Sequence, residues 1–72
     1  MLTKRSFSLS GHRTSVALEP AFWEALAAIA QHRDMPVAAL VGEIDSSRAA
    51  TQPLASALRV FALQNRMELM PR

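Results

Sequence analysis

The chain of 72 residues has no cysteine, which excludes disulfides and thiolate-metal sites as sources of stability. Its only glycines are Gly11 and Gly42, neither of them in a glycine-rich motif, so no nucleotide-cradling loop is encoded. The only imidazoles, His12 and His32, stand far apart without HExxH spacing and without a thiol to complete a zinc set. No metal and no cofactor is expected, and His12 is expected to face solvent or hydrogen-bond locally. Glu43 and Asp45 lie two apart, which on a helix points them to different faces and excludes an acid-base pair. With no catalytic dyad, the chain is not expected to be an enzyme. No apolar run approaches the roughly 20 residues that span a bilayer, residues 37–41 being one short stretch of the kind present. Lys4 and Arg5 are followed by Ser8, Ser10, Gly11, His12 and Arg13 rather than by the apolar core of an export signal. A soluble, cytoplasmic protein is expected.

What is present suits one small domain. A composition 50% hydrophobic and 19% charged is too apolar for disorder. A monomer of this size buries only about 60% of the surface its unfolded chain exposes. Without disulfides or metals, association with a second chain is the expected supplement. The net charge of +2 is unevenly spread: Lys4, Arg5 and Arg13 precede the first acidic residue, Glu19, while the remainder carries five basic and six acidic residues. That asymmetry points to a polyanion met by the first part of the chain, against the plainer reading of a solvated basic end.

Residues 13–18, RTSVAL, alternate polar and apolar and read as a half-buried strand, with Val16 and Leu18 inward and Arg13, Ser15 and Ala17 outward. Phe7 and Leu9 repeat the spacing, and Gly11 is either a bend in a short hairpin or a bulge in one long kinked strand. Pro20 ends the strand and opens a helix over residues 20–33, where Phe22, Leu26, Ile29 and Ala30 recur at helical spacing beside Trp23. Trp23 is expected at a helix or dimer interface rather than on a base. Behind Pro36, the residues Val37, Leu40, Val41 and Ile44 form one face of a second helix ending near Asp45. Pro53 opens a third helix, with Leu54, Leu58, Phe61 and Ala62 on one side, running to Arg66 or Leu69. Met67 and Met70 are expected to fill gaps or dangle.

A lone strand leaves its backbone groups unpaired. The expected remedy is the same strand of a second chain, antiparallel about a two-fold axis, with Val16, Leu18, Phe22, Leu26, Leu40, Val41 and Ile44 forming a dimer core.

A strand, a first helix, a tight turn and a second helix reading ALVGEI together resemble the ribbon-helix-helix family of bacterial and phage DNA-binding proteins. The string GHRTSVALEPAFWEAL, with SALRVF near the end, is similar to a short stand-alone bacterial branch of it. The resemblance implies a mostly α fold with one short β element per chain, the strand paired across a homodimer, and an additional C-terminal helix. It implies a basic arm over residues 1–12 with room for a short extra strand, a core over residues 13–46, and a loop and third helix over residues 47–72.

It further implies a transcriptional regulator or repressor that inserts a two-stranded ribbon into the major groove of duplex DNA. The outward positions are Arg13, suited to guanine O6 and N7, Ser15, able to donate or accept, and Ala17, which offers a methyl contact. Lys4 and Arg5 supply backbone attraction. Where the family has a hydroxyl cap, this chain has Met35 and Pro36, so phosphate holding rests on the amides of Val37 and Ala38, the helix dipole and Arg33. If SALRVF takes the second-helix role instead, Thr51 and Gln52 face phosphate. Two other functions compete: a protein-binding module that docks a partner through the face around Trp23 or the third helix, and an antitoxin, for which little chain follows Met67.

Overall fold

The computed structural model describes residues 1–69, so Met70 lies outside the described residues. Strands β1 (Thr3–Leu9) and β2 (His12–Leu18) form an antiparallel hairpin, followed by helices α1 (Pro20–His32), α2 (Val37–Ser47) and α3 (Leu54–Asn65) and a 3-10 turn over Arg66–Leu69. The fold is mostly helical, as the spacing of apolar residues predicts. The β element, however, is two strands in one chain. Ser10 at φ 51° and Gly11 at φ 81° are both left-handed, which makes a two-residue turn whose twist matches that of the strands it joins. Of the alternatives at Gly11, the hairpin is therefore the one adopted. The register runs from Thr3 opposite Leu18 to Leu9 opposite His12. The backbone of β2 thus finds in its own chain the partner that the sequence reading sought in a second one.

The hairpin buries Phe7, Leu9, Val16 and Leu18 on one face. The helices cover that face, α2 lying against β1 and α3 against β2. Trp23, Leu26 and Ile29 of α1, Leu40, Val41 and Ile44 of α2, and Leu58 of α3 complete the core. Val16, Leu18, Leu26, Leu40, Val41 and Ile44, assigned from the sequence to a core between chains, are all buried within a single chain. Phe22 is half-buried, with the Arg59 guanidinium 5.8 Å from its ring. The additional strand and third helix supply the covering surface. A fully enclosed side chain such as Leu26 contributes about 1.5–3 kcal/mol.

Three of the four prolines act as start signals, in two ways. Pro20 occupies the first turn of α1 itself, whereas Pro36 and Pro53 precede α2 and α3 as cap residues. Their carbonyls accept from the amides of Leu40 at 3.1 Å and Ala57 at 3.0 Å. The end of α1 is closed by Asp34, left-handed at φ 56°. Met35 N–H donates back to Ala30 O at 2.9 Å and Asp34 N–H to Gln31 O at 3.1 Å, the paired bonds of a Schellman ending. Two ion pairs tie distant segments: Arg59 Nε to Glu19 Oε1 at 2.9 Å fastens α3 to the strand-helix junction, and Arg33 to Glu68 fastens the last turn to the end of α1.

Candidate functional site

Residues directly opposite in an antiparallel pair share a face. The register therefore sorts the hairpin without ambiguity. Thr3, Arg5, Phe7 and Leu9 lie on the inner face with Leu18, Val16, Thr14 and His12. Lys4, Ser6 and Ser8 lie on the outer face with Ala17, Ser15 and Arg13. The outer face thus carries two cations, three hydroxyls and one methyl, with no acidic group and no large apolar side chain.

Cross-strand pairs organise this face. Ser6 Oγ and Ser15 Oγ stand 3.0 Å apart within hydrogen-bonding distance, and Arg13 Nη1 donates to Ser8 Oγ at 3.5 Å. The second contact is long and weak, so it leaves the Arg13 fork of donors available. Such a fork matches two acceptors side by side, while a serine hydroxyl donates or accepts and Lys4 offers a mobile point charge.

Ser6 and Ser8 are functional candidates that the sequence reading missed. Their signal was the polar-apolar alternation of residues 3–9, with Phe7 and Leu9 inward. Once β1 is a strand, that parity places Lys4, Ser6 and Ser8 outward together.

The same parity sends Arg5 inward. Its guanidinium carbon lies 5.1 Å from the centre of the Trp23 ring, which is a stacking role on the hairpin's other side. Trp23 is itself a clamp: buried beneath β1, it donates from Nε1 to the Thr3 carbonyl at 2.7 Å and packs 5.8 Å from the Phe7 ring.

Arg33 is likewise engaged elsewhere than the sequence reading placed it. It donates from Nη2 to Glu68 Oε1 at 2.7 Å and to Asn65 Oδ1 at 3.2 Å, and from Nε to Glu68 Oε2 at 3.0 Å, with its guanidinium 5.3 Å from the Phe61 ring. The hydrogen bond with Glu68 raises the Arg33 pKa and holds the Glu68 carboxyl below its ordinary value. A guanidinium held by a bidentate carboxylate is not free to assist a phosphate at the start of α2. The turn after α3 brings Glu68 there, 35 positions along the chain from Arg33.

Val37 and Ala38 open α2, Val37 half-buried and Ala38 exposed, with no side-chain cap at Pro36. Amides in a helix's first turn lack intrahelical acceptors. Ser8 and Ser10 at the hairpin tip line a shallow groove of about 520 Å³ together with Ala38 and Ala39, so the tip and the first turn of α2 are neighbours. Further along that groove stand Glu43 and Asp45, the latter paired with Arg48 at 2.9 Å. The Glu43 carboxylate disfavours an anion at that end of the groove. Thr51 is exposed before α3, and the Gln52 carbonyl accepts from Arg48 Nη1 at 2.6 Å, tying that loop to the end of α2. Among the described residues, no cluster of three or more His, Cys, Asp or Glu side chains could hold a metal, and no helix is long and apolar enough to cross a membrane.

The sequence model of the ribbon-helix-helix domain matches residues 2–65, which takes in the hairpin and all three helices. The structure of an uncharacterized protein from Bordetella pertussis Tohama I is similar, with a TM-score of 0.78 and 33% identity over 93% of this chain. The present chain spans 57% of that protein's length. No curated protein matches. With its strands and helices all inside the matched region, the chain belongs to the ribbon-helix-helix family, whose members generally bind DNA.

Proposed function

We propose that the protein is a cytoplasmic DNA-binding regulator of transcription that acts as a homodimer, with the outer face of its hairpin lying in the major groove. The observation that carries this reading is the composition of that face: Lys4, Arg13, Ser6, Ser8 and Ser15, without an acidic side chain. A major groove about 12 Å wide admits a two-stranded ribbon with one face turned to the base edges. In that setting Arg13 pairs with guanine O6 and N7, a contact worth about 1–3 kcal/mol of discrimination. The serines read donor and acceptor edges, Ala17 meets a thymine methyl, and Lys4 lies along phosphate. The open amides of Val37 and Ala38, next to the hairpin tip, hold a flanking phosphate with the help of the α2 dipole.

The direct test is binding to random duplex DNA at low and at moderate salt. Affinity falls with salt, and with one Lys4 per chain of a dimer neutralising a phosphate the logarithmic slope contributed by that residue is about −2. Absence of binding at low salt refutes the reading. Regulation itself is tested by selecting a preferred duplex and placing it over a promoter.

A further inference from the structure

Apart from Met1 and Leu2 at the chain start, the exposed large apolar side chains of the described residues are Val60, Leu63 and Met67, with Leu63 60% and Met67 69% exposed. Spacings of three and then four residues set them on one face of α3 and the turn that prolongs it, and Arg66 keeps helical backbone angles between them. Ala57, Leu58 and Ala62, buried in the core, take the other side of the helix. The stripe therefore looks outward.

Its rim is basic. Arg59 stands four residues before Leu63 and Arg66 three after it, so the two share one edge of the stripe. Along the other edge, Val60 and Gln64 border a groove of about 160 Å³ that Arg48 also lines. From Ser46 to Met67 the chain carries these three arginines and no acidic residue. Arg48 and Arg59 are each partnered at 2.9 Å, by Asp45 and by Glu19. Arg66 is exposed and forms no ion pair with a described residue.

We infer that this stripe is the docking face for an amphipathic helix of a different protein, one whose apolar side chains are flanked by carboxylates. Apolar patches rimmed by polar groups mark protein-binding surfaces. A helix laid on such a seat presents anchors at i, i+3 or i+4, and i+7, which is the spacing of Val60, Leu63 and Met67 themselves. Methionine adapts its shape to the anchors it meets. Charge selects the occupant, because Arg66 at the rim attracts an acidic flank and repels a basic one. A second copy of this chain brings its own Arg59 and Arg66 to the same rim, and a phosphate backbone leaves Leu63 and Met67 uncovered. The surface is also separate from the proposed DNA-reading face. The helices cover the inner side of the hairpin, so a partner on the outward side of α3 leaves Lys4, Ser6, Arg13 and Ser15 open.

The probe is a displayed library of helical peptides with leucine on one face at this spacing and random residues at the flanks. It is selected on the full chain and counter-selected on Leu63→Ser. The expected peptides are rich in Glu and Asp beside the leucines. Labelled with a fluorophore, the best of them binds Leu63→Ser and Arg66→Glu at least about tenfold more weakly than wild type, and every affinity falls as salt rises. A lysine-flanked copy of that peptide prefers Arg66→Glu to wild type. Both side chains are exposed, so the variants keep the wild-type circular dichroism. Failure to enrich any peptide over the counter-selection overturns the assignment, as do neutral or basic flanks in those recovered. A mass by light scattering that falls in Leu63→Ser gives the stripe to a second copy and overturns it too. So does a loss of affinity for random duplex DNA in Arg66→Glu as large as that in Lys4→Ala, which gives the rim to phosphate.

Discussion

Replacing Trp23 by phenylalanine keeps an aromatic ring in the core but removes the donor that holds the start of β1. Trp23 is 2% exposed, and its Nε1 donates to the Thr3 carbonyl at 2.7 Å. Loss of that bond costs about 1 kcal/mol. The smaller ring forfeits roughly 1 kcal/mol of apolar burial, and the weaker quadrupole facing Arg5, whose guanidinium lies 5.1 Å away, forfeits about 0.5 kcal/mol at so exposed a site. The sum is about 2–3 kcal/mol, a large share of the roughly 5–15 kcal/mol that keeps a domain folded. For a chain of this size it lowers the thermal midpoint by about 10–20 °C. Because Trp23 is the sole tryptophan, urea unfolding of the variant is followed by far-ultraviolet circular dichroism rather than fluorescence. The second readout is amide exchange, which accelerates in β1 before it accelerates in the helices. A loss under about 0.5 kcal/mol, or exchange that speeds up uniformly through hairpin and helices, refutes the idea that Trp23 clamps β1.

The two faces of the hairpin respond oppositely to charge. Val16→Asp puts a carboxylate into the apolar packing beside Leu18, which its exposed cross-strand neighbour Arg5 offsets only in part, and destabilises the fold strongly, whereas Ala17→Lys on the outer face leaves the spectrum native and tightens non-specific DNA binding; the reverse pattern refutes the register. On a selected duplex, Arg13→Ala lowers affinity by about 1–3 kcal/mol per contact while changing unrelated DNA much less, and Lys4→Ala lowers both and flattens the salt dependence. Equal losses from Arg13→Ala on both duplexes reassign Arg13 to phosphate. The Glu68 carboxyl, held below its ordinary value of 4.5 by Arg33, contributes stability that is present above that ordinary value and lost as pH falls through the lowered one. Acid therefore frees the last turn from α1, seen as earlier proteolysis near residues 66–69; Glu68→Gln removes the pH dependence.

The three helices were legible because each is announced by a proline and sustained by a single apolar face, at Pro20, Pro36 and Pro53. The outward parity of Arg13, Ser15 and Ala17 could be read for the same reason, since alternation is a local signal. What the sequence left open was decided by contacts between distant residues. Ser10 and Gly11 permit a turn or a bulge until Phe7 and Leu9 find the core beside Val16 and Leu18. The position of Arg5 depends on Val16 being its cross-strand neighbour, and the capture of Arg33 by Glu68 depends on how α3 crosses the end of α1. The clamp on Thr3 was hidden as well, because its acceptor is a backbone carbonyl that any residue would provide.

The pairing of β1 with β2 inside one chain bears on how such a surface evolves. When two identical chains each lend one strand to a ribbon, every substitution appears twice, and the pattern of side chains repeats under the two-fold rotation. Here Lys4, Ser6 and Ser8 on one strand and Arg13, Ser15 and Ala17 on the other are separate codons. Each can drift without altering its neighbour across the ribbon. On the proposed reading, a base preference is accordingly free to be asymmetric within a single chain, because the hairpin has six independent outer positions where a shared ribbon of the same length has three.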